Sequence, residues 1–222
     1  METLLYFAGL LLVIVAQSKV QGAYRKYSKI MTASNLTGAD TARKMLKEHG
    51  ITDIEVVQSR GGTLSDHYDS RKKIVALSPE NYNTNSIAAV SVAAHEVGHA
   101  IQHNVGYKMI DVRNAILPSA IIAGNMSWIV IVLGLVFSIT SLLYVGIGML
   151  GVIATFQLVT LPVEFDASKR ALANLEQGNY LYSDELVGAK SMLRAAAFTY
   201  VAGLLNTVFQ LVRLIMASNR RR

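Results

Sequence analysis

The stretch VAAHEVGHAIQH, residues 92–103, places three histidines and one glutamate in a run that otherwise consists mainly of alanine, valine and isoleucine. His95 and His99 are four residues apart, and on an α-helix this spacing puts both imidazoles on one face, one turn apart. Both rings can then reach one metal ion, and Glu96 between them is placed as a general base for a water at that metal. A pair of helix histidines with ordinary hydrogen bonds is the alternative, but the H-E-x-x-H order favours a metal site.

A third ligand must come from elsewhere in a chain that contains no cysteine. His103 lies one turn further along the same helix, and three consecutive turns of one straight helix cannot surround a metal tetrahedrally. The longer pattern H-E-x-x-H-x-x-G-x-x-H is excluded, because positions 102 and 105 are Gln and Val. Glu164 and Asp111 remain possible, and we favour Glu164 because this carboxylate directly follows a long apolar segment. The ordinary explanation for it is a charge at the end of a membrane helix.

That apolar segment, residues 116–163, contains no charged residue over 48 positions. One helix of this length would far exceed the bilayer, whereas two helices of about 20 residues fit it. The break between the two helices is expected near residues 138–141. Two crossings return Glu164 to the side of the membrane that holds His95 and His99, so the span count agrees with the proposed ligand set.

Composition supports a membrane protein, with 52% hydrophobic and only 16% charged residues. The sequence predicts a mostly helical α+β fold, in which a small zincin-like α+β catalytic unit is attached to three or four membrane helices. We expect five segments: an uncleaved N-terminal anchor (1–18), a catalytic α+β region (19–115), a membrane hairpin (116–163), a third-ligand region (164–194), and a C-terminal apolar helix with a basic tail (195–222). The C-terminal apolar run, 195–217, either spans the membrane or lies along its surface.

Within the catalytic region, local patterns predict a helix, a strand, a hairpin and a second helix. Residues 37–50 have helical apolar spacing and end in Gly50, which suits the position just after a helix. Residues 51–59 suit a strand, residues 63–78 suit a hairpin with its turn near 69–71, and a helix is expected from about Ser86 to His103.

The formal net charge of +6 arises from Lys and Arg beside apolar runs, with little aromatic interleaving. This pattern is typical of membrane-flanking charge and disfavours a nucleic-acid partner. The bias places the catalytic side in the cytoplasm, although the tail residues NRRR conflict with this if 195–217 spans. The expected location is a prokaryotic plasma membrane. The expected partners are the lipid bilayer and peptide or membrane-protein substrates, and no oligomeric state is predicted.

The N-terminal anchor, AAHEVGHAIQH, the membrane hairpin, LPVEFDASKRAL and AAAFTYVAGLL together resemble the membrane zinc metallopeptidases of the YugP type. The layout is also similar to that of the HtpX and Ste24 peptidases. The resemblance implies one zinc ion held by His95, His99 and Glu164, with Glu96 as catalytic base. It also implies that the strand near Ile74–Leu77 is the edge strand that pairs with an extended peptide.

One position departs from the gluzincin pattern, in which Glu-x-x-x-Asp supplies an aspartate that orients a ligand histidine. Position 168 is Ser, and the nearest aspartate is Asp166. The sequence thus predicts a zinc endopeptidase. Asp166, His103, His67 and Arg170 are candidates for orienting ligands or stabilising the transition state, together with Tyr68 and Tyr182. Two alternatives stay open: an intramembrane metalloprotease of the site-2 type, and a non-catalytic scaffold or chaperone with a structural zinc whose fourth ligand is His103, His67 or Asp111.

Overall fold

The computed structural model describes residues 2–62 and 65–219. It confirms a mostly helical α+β fold. The first two residues of the predicted hairpin, 63 and 64, and the three arginines of the tail lie outside the described residues. The elements in chain order are α1 (Glu2–Tyr27), α2 (Gly38–Glu48), β1 (Glu55–Gln58), β2 (His67–Asp69), β3 (Ile74–Leu77), α3 (Pro79–Asn83), α4 (Ile87–Asn104), α5 (Lys108–Val136), α6 (Thr140–Gln177) and α7 (Ser183–Asn219).

The chain divides into two compact units. Unit 1 comprises Met1–Gln17, Met109–Pro162 and Phe198–Arg222, and unit 2 comprises Ser18–Lys108 and Val163–Ala197. Among the described residues, four helices are long and apolar enough to cross a membrane: α1, α5, α6 and α7. The helix break expected near residues 138–141 is confirmed, since α5 ends at Val136 and α6 begins at Thr140. One of the four apolar helices is α7, so the C-terminal apolar run is long and apolar enough to cross the membrane.

Unit 2 is built around α4, most of which is buried. The hydroxyl of Ser86 accepts a hydrogen bond from the Ala89 amide and so caps the helix N-terminus. Helix α2 packs against α4 and begins at a capping box formed by Thr37 and Asp40. Gly50 has φ +67° directly after the last turn of α2, as its position in the sequence predicts. Small side chains along α4 let the neighbouring elements come close and form one apolar core.

The three-stranded sheet of unit 2 has the order β1-β3-β2. The predicted hairpin is confirmed: β2 and β3 pair antiparallel, and the Asp69 carboxylate accepts from the amides of Arg71 and Lys72 in the turn. The predicted role of Ile74–Leu77 as an edge strand is wrong, because β1 pairs with β3 in parallel on its other side. Val75, Ala76 and Leu77 are buried in succession, which is typical of a central strand. The edges of the sheet are β1 and β2.

Candidate metal centre

Helix α4 contributes His95, Glu96 and His99, and α6 contributes Glu164. The two helices approach closely at Gly98, where an added Cβ would lie 2.7 Å from the carbonyl oxygen of Ala167. Because that oxygen belongs to the backbone, no side-chain rotation could relieve the clash. Glycine at position 98 therefore allows α6 to bring Glu164, three residues before Ala167, against the histidine face of α4.

The structure brings the three predicted ligands together in a buried cluster. Oε2 of Glu164 lies 3.2 Å from Nε2 of His95 and 3.7 Å from Nε2 of His99. The two imidazole rings meet edge to face, with their centres 4.8 Å apart. Glu164 is 3% exposed, and the His95 side chain, at 16%, is the most accessible of the three. This difference leaves solvent access on the His95 side of the cluster.

The donor set fits a zinc ion. Two imidazole nitrogens and one carboxylate oxygen are the ligands of many catalytic zinc sites, which keep a fourth position open. Ligand atoms about 2.0 Å from a tetrahedral metal lie about 3.3 Å from one another, and both observed nitrogen–oxygen separations are near that value. All three ligand atoms lie within 4.8 Å of one another. The distances of Glu164 from both histidines are therefore compatible with a shared metal ion.

Gln102 determines which nitrogen of His99 faces the cluster. Its amide nitrogen donates to the carbonyl of Val163 at 2.7 Å and to Oδ2 of Asp166 at 2.9 Å. With both N–H bonds used, the amide oxygen is turned towards His99 and lies 3.0 Å from Nδ1 of that ring. An amide oxygen only accepts hydrogen bonds, so Nδ1 of His99 carries the proton and Nε2 offers its lone pair to the cluster.

Two residues predicted as candidates, Asp166 and Arg170, support this arrangement from α6. The Nε of Arg170 donates to Oδ2 of Asp166 at 2.6 Å, and the same oxygen accepts from Gln102. Asp166 is therefore linked to His99 through Gln102. Ser168, which stands where gluzincins carry aspartate, places its hydroxyl 3.3 Å from Nδ1 of His95. Each histidine thus has its own polar partner behind the ring.

Glu96 lies beside the cluster and is buried. Burial raises the pKa of its carboxyl, and the charge of Glu164 adds to the increase, while His95 and His99 oppose it. For His99, burial lowers the pKa, but the hydrogen bond and charge of Glu164 outweigh burial and leave it raised. The pKa of Glu96 and the pKa of His99 therefore both depend on the buried carboxylate of Glu164.

The remaining candidates lie outside this cluster. His103 has its Nδ1 3.4 Å from the Tyr68 hydroxyl, and the exposed His67 ring donates from Nδ1 to the Ser65 carbonyl. The Tyr182 side chain is half exposed, and its backbone amide donates to Glu185. Asp111 lies in the first turn of α5 and is not in the only three-ligand group found among residues 2–62 and 65–219.

Sequence reasoning did not assign roles to Gly98, Gln102 and Ser168. Gln102 stands three residues after His99, so the two share a helix face, and Ser168 stands four residues after Glu164. These spacings are visible in the sequence and could have marked both residues as partners of the ligands. The requirement for glycine at position 98 depends on the α6 backbone and has no local signal.

An H-E-x-x-H helix that meets a glutamate from a second helix in a buried cluster defines a candidate zinc metallopeptidase site. The comparisons with known proteins agree. The chain belongs to the family described as "Putative neutral zinc metallopeptidase", which matches residues 2–219. It is 41% identical over 212 residues to the "Putative membrane protease YugP" of Bacillus subtilis (strain 168), and this similarity covers 96% of the chain and 94% of that protein. No solved structure matches the chain. The resemblance to proteins of the YugP type is confirmed.

Proposed function

We propose that this protein is a membrane-anchored zinc endopeptidase in which His95, His99 and Glu164 hold one zinc ion. The observation that supports this most directly is the buried three-ligand cluster with Glu96 beside it. The family to which the chain belongs and the four apolar helices support the same conclusion. The substrates are peptides or membrane proteins with an extended, unfolded segment.

A zinc ion held by His95, His99 and Glu164 would supply the Lewis acidity that activates a water molecule and polarises the peptide carbonyl. Glu96 accepts the proton of the attacking water and passes it to the leaving amine. Gln102 and Ser168 keep the two imidazoles oriented, and the partial exposure of His95 leaves a path for substrate.

The edge of β2 is the place we propose for the substrate backbone. β2 is an outer strand of the sheet and packs against α4, the helix that carries the metal ligands. An extended peptide added to its free side would form main-chain hydrogen bonds without regard to sequence. Tyr68 on β2 reaches His103 on α4, so these two side chains would lie close to such a peptide.

The two alternative functions are less well supported. In an intramembrane metalloprotease the H-E-x-x-H helix would itself span the bilayer, but α4 is not among the four apolar helices found in the described part of the chain. A structural zinc site closes all four metal positions, whereas three ligands form the cluster described here. A structural site would also have no use for a buried carboxylate at Glu96.

We further propose that unit 2 faces the cytoplasm of a prokaryotic cell. Lysine and arginine residues lie at those ends of the apolar helices that continue into unit 2. The positive-inside tendency places such ends in the cytoplasm. If α7 also crosses, the arginines of the tail lie outside. A reporter fused to the C-terminus and active only on one side of the membrane would decide between these arrangements.

The decisive experiment measures cleavage of a fluorescence-quenched peptide library and of an unfolded membrane protein by the purified full-length chain. We expect Glu96→Gln to abolish cleavage while the protein retains zinc. Glu176→Gln, an exposed change on α6, serves as the matched control and should cleave normally. Normal turnover by Glu96→Gln, or cleavage that survives zinc removal, would disprove the proposal.

A further inference from the structure

The two outer strands of the sheet in unit 2 differ in how open their free edges are. On β1, the amide of Glu55 donates to the carbonyl of Lys73, directly before β3, so the next residue, Val56, turns its carbonyl to the outer side. That carbonyl accepts a hydrogen bond from the guanidinium of Arg43 on α2, and α2 packs against β1. Among the described residues β2 pairs with β3 alone. The edge of β2 is therefore the more open of the two.

Strand β2 runs along the part of α4 that carries the metal ligands. The pKa of Glu96 is raised by burial and, among nearby charges, by that of Asp66, the residue directly before β2. Towards the other end of β2, the hydroxyl of Tyr68 lies 3.4 Å from Nδ1 of His103. Glu96 and His103 are about two turns apart on α4. Between these two points, β2 passes the turn of α4 that carries His99.

The Tyr68 side chain presents a hydrogen-bond donor beside this part of α4. Partial burial raises the pKa of the phenol, and the charges of Asp53 and Asp69 raise it further. The phenol is therefore protonated at neutral pH and its hydroxyl can donate. Its contact with His103 is exposed to solvent and longer than a strong hydrogen bond. A better acceptor, such as a peptide carbonyl, can replace the imidazole.

The Tyr68 hydroxyl is displaced from the metal by about one turn of α4. It reaches the helix at His103, one turn beyond His99, and one turn rises about 5.4 Å. An extended peptide advances about 3.3 Å per residue. The hydroxyl is therefore level with a peptide group one or two residues away from the bond that lies at the metal. Such a position suits a neighbouring main-chain carbonyl better than the reacting one.

We propose that Tyr68 is a substrate-binding residue whose hydroxyl donates to a main-chain carbonyl one or two residues from the scissile bond. This inference rests on the proposed peptidase function and adds a point at which the substrate is held. Because the acceptor belongs to the main chain, the contact serves substrates of any sequence. It exists both before and during the reaction, so it lowers KM and leaves kcat nearly the same.

Tyr68→Phe tests the contact, because it removes the hydroxyl and keeps the ring. For an extended peptide substrate, we expect KM to rise about 2–10-fold, the equivalent of one neutral hydrogen bond, while kcat changes less than twofold. Tyr182→Phe, at a half-exposed tyrosine elsewhere in unit 2, is the matched control and should keep the KM of the unaltered protein. An unchanged KM in Tyr68→Phe, or a fall in kcat alone, would overturn the proposal.

Shortened substrates distinguish the contact from a general loosening of unit 2. Two series of peptides are truncated stepwise towards the scissile bond, one from each end. In one series, the effect of Tyr68→Phe on KM should disappear once the residue that supplies the carbonyl is removed. An equal effect of Tyr68→Phe on peptides of every length would show a structural role and contradict the proposal.

A binding measurement separates this inference from the proposed function. A fluorescein-labelled extended peptide is titrated against the full-length Glu96→Gln protein in the presence of zinc, with fluorescence anisotropy as the readout. Adding Tyr68→Phe to this variant should weaken binding about 2–10-fold, and equal binding would refute the role of Tyr68. Failure of the proposed function gives a different result, the absence of zinc-dependent cleavage by the unaltered protein.

Discussion

Nδ1 of His99 donates a hydrogen bond of 3.0 Å to the side-chain oxygen of Gln102, one turn further along α4. Gln102 is itself held by α6, through the Val163 carbonyl and the Asp166 carboxylate. The orientation of one candidate ligand on α4 therefore depends on the position of α6, the helix that supplies Glu164. The metal cluster and the packing of its two helices are linked through a single amide group.

Replacement of Gln102 by methionine should weaken zinc binding about 10–100-fold, the range seen when a hydrogen-bond partner behind a metal ligand is lost. Methionine has a similar volume but cannot accept from His99 or donate to Asp166. Competition of the full-length protein with a chelator of known affinity measures the change. Gln58→Met, at an exposed position of β1, is the control and should bind zinc as the unaltered protein does. Unchanged affinity in Gln102→Met would mean that the amide does not orient His99.

Ser168→Ala should have a smaller effect on zinc affinity than Gln102→Met. The Ser168 hydroxyl lies 3.3 Å from Nδ1 of His95, a longer contact than that of Gln102, and the His95 ring is more accessible to water. We expect a loss of only a few fold. Ser168→Asp keeps an acceptor at this position and should retain the affinity. Ser191→Ala, on the exposed side of α7, controls for the loss of a hydroxyl; an effect of Ser168→Ala as large as that of Gln102→Met would contradict this ranking.

Zinc should raise the thermal stability of the purified protein, since it binds a site that exists only in the folded state. At a zinc concentration 100 times the dissociation constant, the gain is about 2.7 kcal/mol. A chelator should remove it, and Glu164→Gln should abolish the zinc-dependent shift because the neutral amide replaces the one carboxylate ligand. Thermal unfolding in detergent with and without zinc measures both effects, with Glu176→Gln as the control. A full shift in Glu164→Gln would exclude Glu164 as a ligand.

Local patterns were sufficient to predict α2, α4, the hairpin and the three clustered residues, whereas the short helix α3 was not predicted. His95 and His99 are related by helix periodicity alone. Glu164 could be predicted because an uncharged stretch of 48 residues is long enough to cross the membrane twice. Two crossings bring the chain back to the side of the membrane that holds His95 and His99, and Glu164 is the first carboxylate after the stretch. These predictions depend on short spacings or on length, and both can be read from one sequence.

The features that could not be predicted depend on contacts between distant segments. The parallel pairing of β1 with β3 joins strands separated by β2, and nothing in the pattern of Ile74–Leu77 distinguishes a central from an edge strand in so short a run. The sequence makes Asp166 a candidate for orienting a ligand histidine, but its contact with Gln102 follows from how α6 lies on α4. Contacts of this kind, between segments far apart in the sequence, can be seen only in the three-dimensional structure.

Gly98→Ala should disrupt the metal centre although it adds only one methyl group. The new Cβ would lie 2.7 Å from the Ala167 carbonyl oxygen, so α4 and α6 would have to separate. Overpacking of this kind costs about 1–3 kcal/mol, and the separation should also withdraw Glu164 from the histidines and weaken zinc binding. Thermal unfolding and chelator competition measure the two effects. Gly151→Ala on α6 is the matched control: its Cβ would meet nothing within 4 Å, and alanine favours a helix by up to about 1 kcal/mol over glycine. If Gly98→Ala bound zinc as tightly as Gly151→Ala, the close approach of the two helices would not be required for the site.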